Sequence, residues 1–369
     1  MLMSSPMHQM FRSMTDFFEY SQQIANGSES FAKIDIDDVE IGTAKKTQIS
    51  QIDKVRLFHY ESPEKVEINT DPVLIVYGLI GSYSMIDLQE DRSLVRNLLA
   101  RGVDLYVIDW GHPTRADQFL SFDDYVCFYL SSFVDDICER HAIDDINLFG
   151  VCEGGVFSTM YAARYREKVR NLLISITPID FIADKQDDDP SHGLINLWTR
   201  NLNTQDIESL VDAYGCLPGD VMGAVFNALT PIRSMTKYNL DLAQLSSNPD
   251  KLLNFLRMEK WLSDRPNHPG IAAKQWLINL YQQNQLVKSE FILDGEVVDL
   301  SEITMPVLNV YAEKDHIVPP PCSTALAKYV KSNDYSEMPL NAGHVGIYVS
   351  SKLQNEVSSQ IYDWLSTRQ

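Results

Sequence analysis

The sequence is short of the features that would mark an exported, membrane-spanning or metal-clamped protein. Its five cysteines, at positions 127, 138, 152, 216 and 322, are odd in number and lack metal-type pair spacing. A disulfide framework is therefore excluded, and a reducing cytoplasm is the expected setting. The longest strongly apolar run, Val73 to Ile80, is interrupted by Gly78 and falls far below the ~20 residues that cross a bilayer as a helix. The opening residues, MLMSSPMHQMFRSMTDFFEYSQQ, lack the basic start and continuous apolar stretch of a signal peptide, so no export is expected. Basic residues are also scarce. Lys and Arg number 31 against 51 Asp and Glu, and the net charge of −20 disfavours loose binding to nucleic acid or anionic lipid. There is no Gly-rich phosphate loop, zinc-ligand pair or dinucleotide fingerprint in its strand context, and no cofactor or metal is expected.

With 44% hydrophobic and 22% charged residues over 369 positions, the chain can bury a sizeable core. Residues 1–35 read as an amphipathic helix with Met10, Phe11, Met14, Phe17 and Phe18 on one face, either a core-packing arm or a docking surface for a partner helix. From residue 72, short apolar strands alternate with helical segments, the pattern of a mostly parallel sheet covered on both faces. The expected strands are Pro72–Ile80, Asp104–Asp109, Ile146–Phe149, Leu172–Ile176 and Pro306–Tyr311, with a short last one near Tyr335–Met338. A helix is expected over Asp91–Ala100, stopping at Gly102, and another from a Ser121 cap to about His141. Between about 181 and 300 the alternation fails, after the polar stretch Ala183 to Gly193. The expected division is a helical arm over 1–50, a core over 51–180 and 301–369, and a cap inserted over 181–300.

Strand Ile146–Phe149 runs into Gly150-Val151-Cys152-Glu153-Gly154-Gly155 and then a helical segment. That is the nucleophile elbow of an α/β-hydrolase fold, with cysteine where serine is usual. Small neighbours relieve crowding at so sharp a turn, and a helix N-terminus beneath a cysteine favours the thiolate. The fold's chain order then requires an acid after a late strand and a histidine after the last one. Asp315, in Ala312-Glu313-Lys314-Asp315-His316, and His344, in Asn341-Ala342-Gly343-His344-Val345-Gly346, meet that order and complete a triad with Cys152. Glu313 is the rival acid. His316 is the rival base, given at most a supporting role. His112 reads as a turn residue, and His8, His59, His141, His192 and His268 have no constellation around them. The other four cysteines read as inert core residues. An oxyanion hole should join the backbone N–H of Glu153 to one from the loop Leu79-Ile80-Gly81-Ser82, with Ile80 as the candidate and the choice within the loop left open.

These residues resemble the poly(3-hydroxyalkanoate) synthases, particularly the short two-component class III enzymes, with class IV close behind. The segments that carry the likeness are Asp87 to Ser93, Val107-Ile108-Asp109-Trp110-Gly111, Gly150 to Gly155, Met258-Glu259-Lys260-Trp261, Tyr311 to His316 and Gly343 to Tyr348. It spans about residues 50–369, and by similarity the nucleophile, acid and base fall on Cys152, Asp315 and His344. Two departures stand out. Glu153 replaces a neutral glutamine or similar residue, and Gly81-Ser82 replaces an Asn-Arg or Asn-Lys pair. The resemblance implies an (R)-3-hydroxyacyl coenzyme A substrate, a growing polyester chain, a second and smaller helical subunit, and association with polyester granules in the cytoplasm. A homodimer is left open.

A thiol suits that chemistry, because exchanging one thioester for another keeps the acyl group activated on the enzyme. Water is the competing nucleophile, and a cap over Cys152 would exclude it. The alternative within the same chemistry is a hydrolase of thioesters, lactones or polyesters. A catalytically silent granule-coating protein is the alternative outside it, although the intact triad speaks against silence.

Overall fold

The computed structural model describes residues 39–185, 193–229 and 249–369. The helix expected over 1–35 lies outside them, as does most of the polar stretch that follows Lys185. The described residues form two compact units, one of 42–185, 193–223 and 264–369, the other of 39–41, 224–229 and 249–263.

The larger unit is built on one eight-stranded sheet. Its strands are β1 (Lys46–Ile52), β2 (Val55–Tyr60), β3 (Val73–Val76), β4 (Leu105–Asp109), β5 (Ile146–Val151), β6 (Val169–Ser175), β7 (Val307–Ala312) and β8 (Tyr335–Leu340). They lie in the order β1-β2-β4-β3-β5-β6-β7-β8, antiparallel at β1-β2 and β2-β4 and parallel elsewhere. The central strands are covered on both faces and read as mostly apolar runs: every residue of Val73–Val76 and of Ile146–Val151 is buried. In such a sheet, ligands gather at the carboxyl ends of the strands, and β5 and β7 deliver the site there.

Two sequence expectations shift in extent, and one hairpin stands where no strand was expected. The β1-β2 hairpin went unread, because its outer strand, KTQISQI, is largely polar and its two-residue turn, Asp53-Lys54, needs a left-handed Asp53 (φ 52°) without the usual glycine. The helix expected from Asp91 begins at Leu94, since Ser93 caps it by accepting the Arg96 N–H. Residues before the cap form a small hairpin, Asp87–Gln89 against Arg92–Ser93. The helix expected from Ser121 is a π-type coil, Asp123–Leu130, that runs into a regular helix, Ser131–His141.

The compact units are also cut differently from the expected arm, core and cap. Residues 46–50 belong to β1 of the main sheet, and 264–300 join the larger unit. His268 and Pro269 pair there with Leu217 and Cys216, and Trp276, Leu277, Leu280 and Tyr281 are buried. In the smaller unit, Val39 packs with Leu252, Phe255 and Leu256 of the helix Pro249–Ser263, and Arg257 donates from Nε to the Glu40 carbonyl.

Candidate active site

Strand β5 ends at Val151, and the helix α1, which spans Glu153–Arg164 and is buried as far as Ala163, begins one residue after Cys152. Between them Cys152 takes φ 54° and ψ −120°, a conformation that L side chains rarely adopt. Two interactions hold it there. Its N–H donates to the Ser175 carbonyl at 2.9 Å, and its own carbonyl accepts from Gly155 N–H at 3.0 Å. The turn is possible only because the chain is bare on both sides. A Cβ on Gly154 would lie 2.1 Å from the Val76 carbonyl oxygen, and one on Gly150 would lie 2.4 Å from Gly155 Cα. The helix therefore starts flush against the ends of β3 and β5, with its N-terminal amides at the nucleophile.

Asp315 follows β7 and is 4% exposed, whereas its rival Glu313 points to solvent. Asp315 Oδ1 accepts from the N–H groups of Ile317 and Val318 at 2.8 and 2.9 Å. Those two bonds aim Oδ2 at His344, whose Nδ1 donates to it at 2.7 Å. The loops bearing acid and histidine are tied by backbone bonds from Glu313 N–H to the Leu340 carbonyl and from Lys314 N–H to that of Ala342. Cys152 also bears on the His344 imidazole and favours its protonated form. Burial pushes the imidazole pKa down, but the Asp315 carboxylate and the Cys152 contact outweigh it and raise it to about 10. The structure thus joins His344 to Asp315 in a buried hydrogen-bonded pair, with the more exposed Cys152 close enough to bear on the imidazole.

Tyr77, Tyr281 and Tyr348 are buried, and burial holds their phenols neutral. Tyr348 donates to Ser175 Oγ at 2.7 Å, so the residue that anchors the elbow from the next strand is itself braced. Among the described residues no group of three or more His, Cys, Asp or Glu side chains is disposed to hold a metal ion.

Of the expected oxyanion residues, Glu153 stands at the first position of α1 and Ile80 lies in the loop after β3. The neighbouring Leu79 N–H donates to Glu153 Oε2 at 2.7 Å. His316 meets the fold through its carbonyl, which accepts from Leu194 N–H. His268, expected to stand alone, is corrected: it is 1% exposed, and its Nε2 lies 2.6 Å from Glu153 Oε1. His59 and His141 likewise have a partner, Asp104, at 2.6 and 3.4 Å, and His112 lies 3.6 Å from Asp264. His8 and His192 lie outside the described residues. The one sequence signal for the His268 contact was the charge at position 153, since a buried carboxylate requires a partner. Nothing in the sequence named which partner. Of the remaining cysteines Cys138, Cys216 and Cys322 are buried and Cys127 is partly exposed; burial raises the thiol pKa of Cys127, Cys138 and Cys216, and pushes that of Cys322 up to about 12.

The strand order, the elbow and the order of the three loops define an α/β-hydrolase-fold protein with cysteine at the nucleophile position. Residues 71–351 match the family described as alpha/beta hydrolase fold. Solved structures agree on the fold: an epoxide hydrolase from Bacillus megaterium is similar with a TM-score of 0.50 and 13% identity, covering 87% of this chain and 99% of that one. Sequence similarity is closer to another group. The chain is 40% identical over 354 residues to the poly(3-hydroxyalkanoate) polymerase subunit PhaC of Allochromatium vinosum, covering 96% of each. It is 41% identical to the PhaC of a Synechocystis species, covering 95% of this chain and 92% of that one. The chain belongs to the poly(3-hydroxyalkanoate) polymerase PhaC family.

Proposed function

We propose that this protein is the catalytic subunit of a poly(3-hydroxyalkanoate) synthase, an acyltransferase that joins (R)-3-hydroxyacyl units from coenzyme A thioesters into polyester through Cys152, His344 and Asp315. The observation that carries the reading is sulfur at the elbow, close to the buried His344–Asp315 pair, in a chain similar to PhaC polymerases over nearly its whole length. The Cys152 sulfur attacks the thioester carbonyl with its proton held on His344. The carbon–sulfur bond to coenzyme A breaks, and the departing thiolate takes that proton. The acyl group now sits on Cys152 as a thioester of nearly equal energy. The 3-hydroxyl of another acyl unit, or of the growing chain, then gives its proton to His344 as its oxygen attacks the Cys152 thioester. An ester forms, the Cys152 sulfur leaves, and it recovers the proton. Asp315 fixes the ring so that Nε2 faces the sulfur throughout. The developing oxyanion would be met by the N–H groups of Glu153 and Ile80.

Water must not reach the acyl-enzyme. His268, from the inserted region, is buried against Glu153, the residue next to Cys152, which supports a role for that region in covering the sulfur. A second, smaller subunit belongs to the same reading, supported by relatives named as polymerase subunits. Purified chain, with and without that subunit, is given 3-hydroxybutyryl coenzyme A while free thiol, insoluble polyester and free hydroxyacid are followed. Polymer with thiol release is expected, and Cys152→Ala should abolish both while the protein stays folded. Free hydroxyacid in place of polymer would make it a hydrolase, and thiol release retained by Cys152→Ala would remove the cysteine from the mechanism.

A further inference from the structure

Glu153 is a carboxylate that the acyl-transfer chemistry does not use, yet its side chain is 1% exposed and ends in two short hydrogen bonds. Oε2 accepts from Leu79 N–H at 2.7 Å, and Oε1 meets His268 Nε2 at 2.6 Å. Its stem lies flat on the loop, since a Cβ on Gly78 would come within 2.9 Å of Glu153 Cβ. His268 is fixed from behind by strand pairing with Leu217. One side chain therefore joins three segments distant in sequence: the elbow, the loop after β3 and the returning end of the inserted region.

Resting on the acyl-transfer reading, we propose that the Glu153–His268 pair is a positioning device for the oxyanion hole. Glu153 serves the hole twice. Its backbone N–H is one donor, and its side chain clamps the loop that supplies the other, so the spacing between the two donors is set within one residue. By occupying the Leu79 N–H, the carboxylate turns that amide away from the acyl oxygen and leaves the loop's donor role to Ile80. A carboxylate this close to a developing negative charge opposes it unless its own oxygens are engaged elsewhere. The Leu79 amide and the His268 imidazole engage one oxygen each. His268 thus keeps Glu153 turned away from the acyl oxygen and makes the hole sensitive to the seating of the inserted region.

The test measures coenzyme A release from 3-hydroxybutyryl coenzyme A by the full chain with its partner subunit. Rates are expressed per Cys152 that can be alkylated, and kcat and KM are separated. Wild type is measured first: absence of thiol release there would refute the acyl-transfer reading itself, and this inference with it. Given wild-type turnover, Glu153→Ala and His268→Phe, the latter chosen to keep the buried volume, should each lower kcat by between about tenfold and a hundredfold, the range expected when donors are misplaced by a fraction of an ångström to an ångström. KM should stay within about twofold. Glu153→Gln, which still accepts from Leu79 N–H and still bonds the imidazole, should recover kcat to within about threefold, and it keeps the test decisive where an alanine variant does not fold. The double variant should be no slower than the slower single one. Wild-type kcat per alkylatable site in His268→Phe, a loss confined to the number of such sites or to KM, or failure of Glu153→Gln to recover turnover would each overturn the proposal.

Discussion

Replacing Gly154 by alanine should cost more activity than stability, and the structure says by how much. The added Cβ would lie 2.1 Å from the Val76 carbonyl oxygen and 2.6 Å from both the carbon and the oxygen of the Tyr77 carbonyl, all of them backbone atoms that cannot rotate aside. Non-bonded Cβ contacts below 3.0 Å are essentially never seen, so the start of α1 must move away from β3 by about 1 Å. A shift of that size costs on the order of a hundredfold in rate when it misplaces a nucleophile and its oxyanion amide together. The fold itself loses about 1–3 kcal/mol, the usual cost of overpacking. The natural control is Gly343, beside His344: a Cβ there meets nothing nearer than the Lys314 carbonyl at 3.6 Å, and its φ is not left-handed. Thiol release per alkylatable cysteine, with urea unfolding in parallel, should show Gly154→Ala crippled but folded and Gly343→Ala within about threefold of wild type. Equal activity in the two variants would refute the claim that the close approach of α1 to β3 sets the sulfur's position.

The remaining expectations concern charge. Asp315→Ala should lower kcat by about 10³-fold or more, the scale seen when a triad acid is lost, while Glu313→Ala, a change at an exposed side chain, leaves turnover unchanged in the same assay. The histidine also makes a pH statement. Because its pKa is raised from 6.5 to about 10 in the fold, it contributes stability that is fully present below pH 6.5 and is lost as pH rises through 10. The urea midpoint should therefore fall on the alkaline side, and the fall should be smaller in Asp315→Asn, where the carboxylate that raises the pKa is gone. Asp87, fully buried, accepts from Ala44 N–H at 2.7 Å and Ser93 Oγ at 2.6 Å and lies 3.5 Å from Arg96 Nε. Asp87→Ala should destabilise by about 3 kcal/mol in chemical denaturation through the donors it leaves unpaired.

What could be read without coordinates was what local pattern and chain order encode. The apolar run at Val73–Val76 marks a strand buried on both faces, because only such strands have no polar side to show. The glycines around Cys152 mark an elbow, because only a bare chain passes so close to its neighbours. The order of cysteine, aspartate and histidine along the chain then named the bonded Asp315–His344 pair and the cysteine that bears on it. The choice of Asp315 over Glu313 was decided by the turn after β7, which buries one carboxylate on two backbone amides and leaves the other in water. The β1-β2 hairpin escaped notice because an edge strand with a polar outer face carries little hydrophobic signal. Tertiary structure alone decided that Glu153 and His268, 115 residues apart, would be buried against each other. Neither residue has a local pattern that points to the other, since the contact exists only once the returning end of the inserted region has folded back onto the elbow.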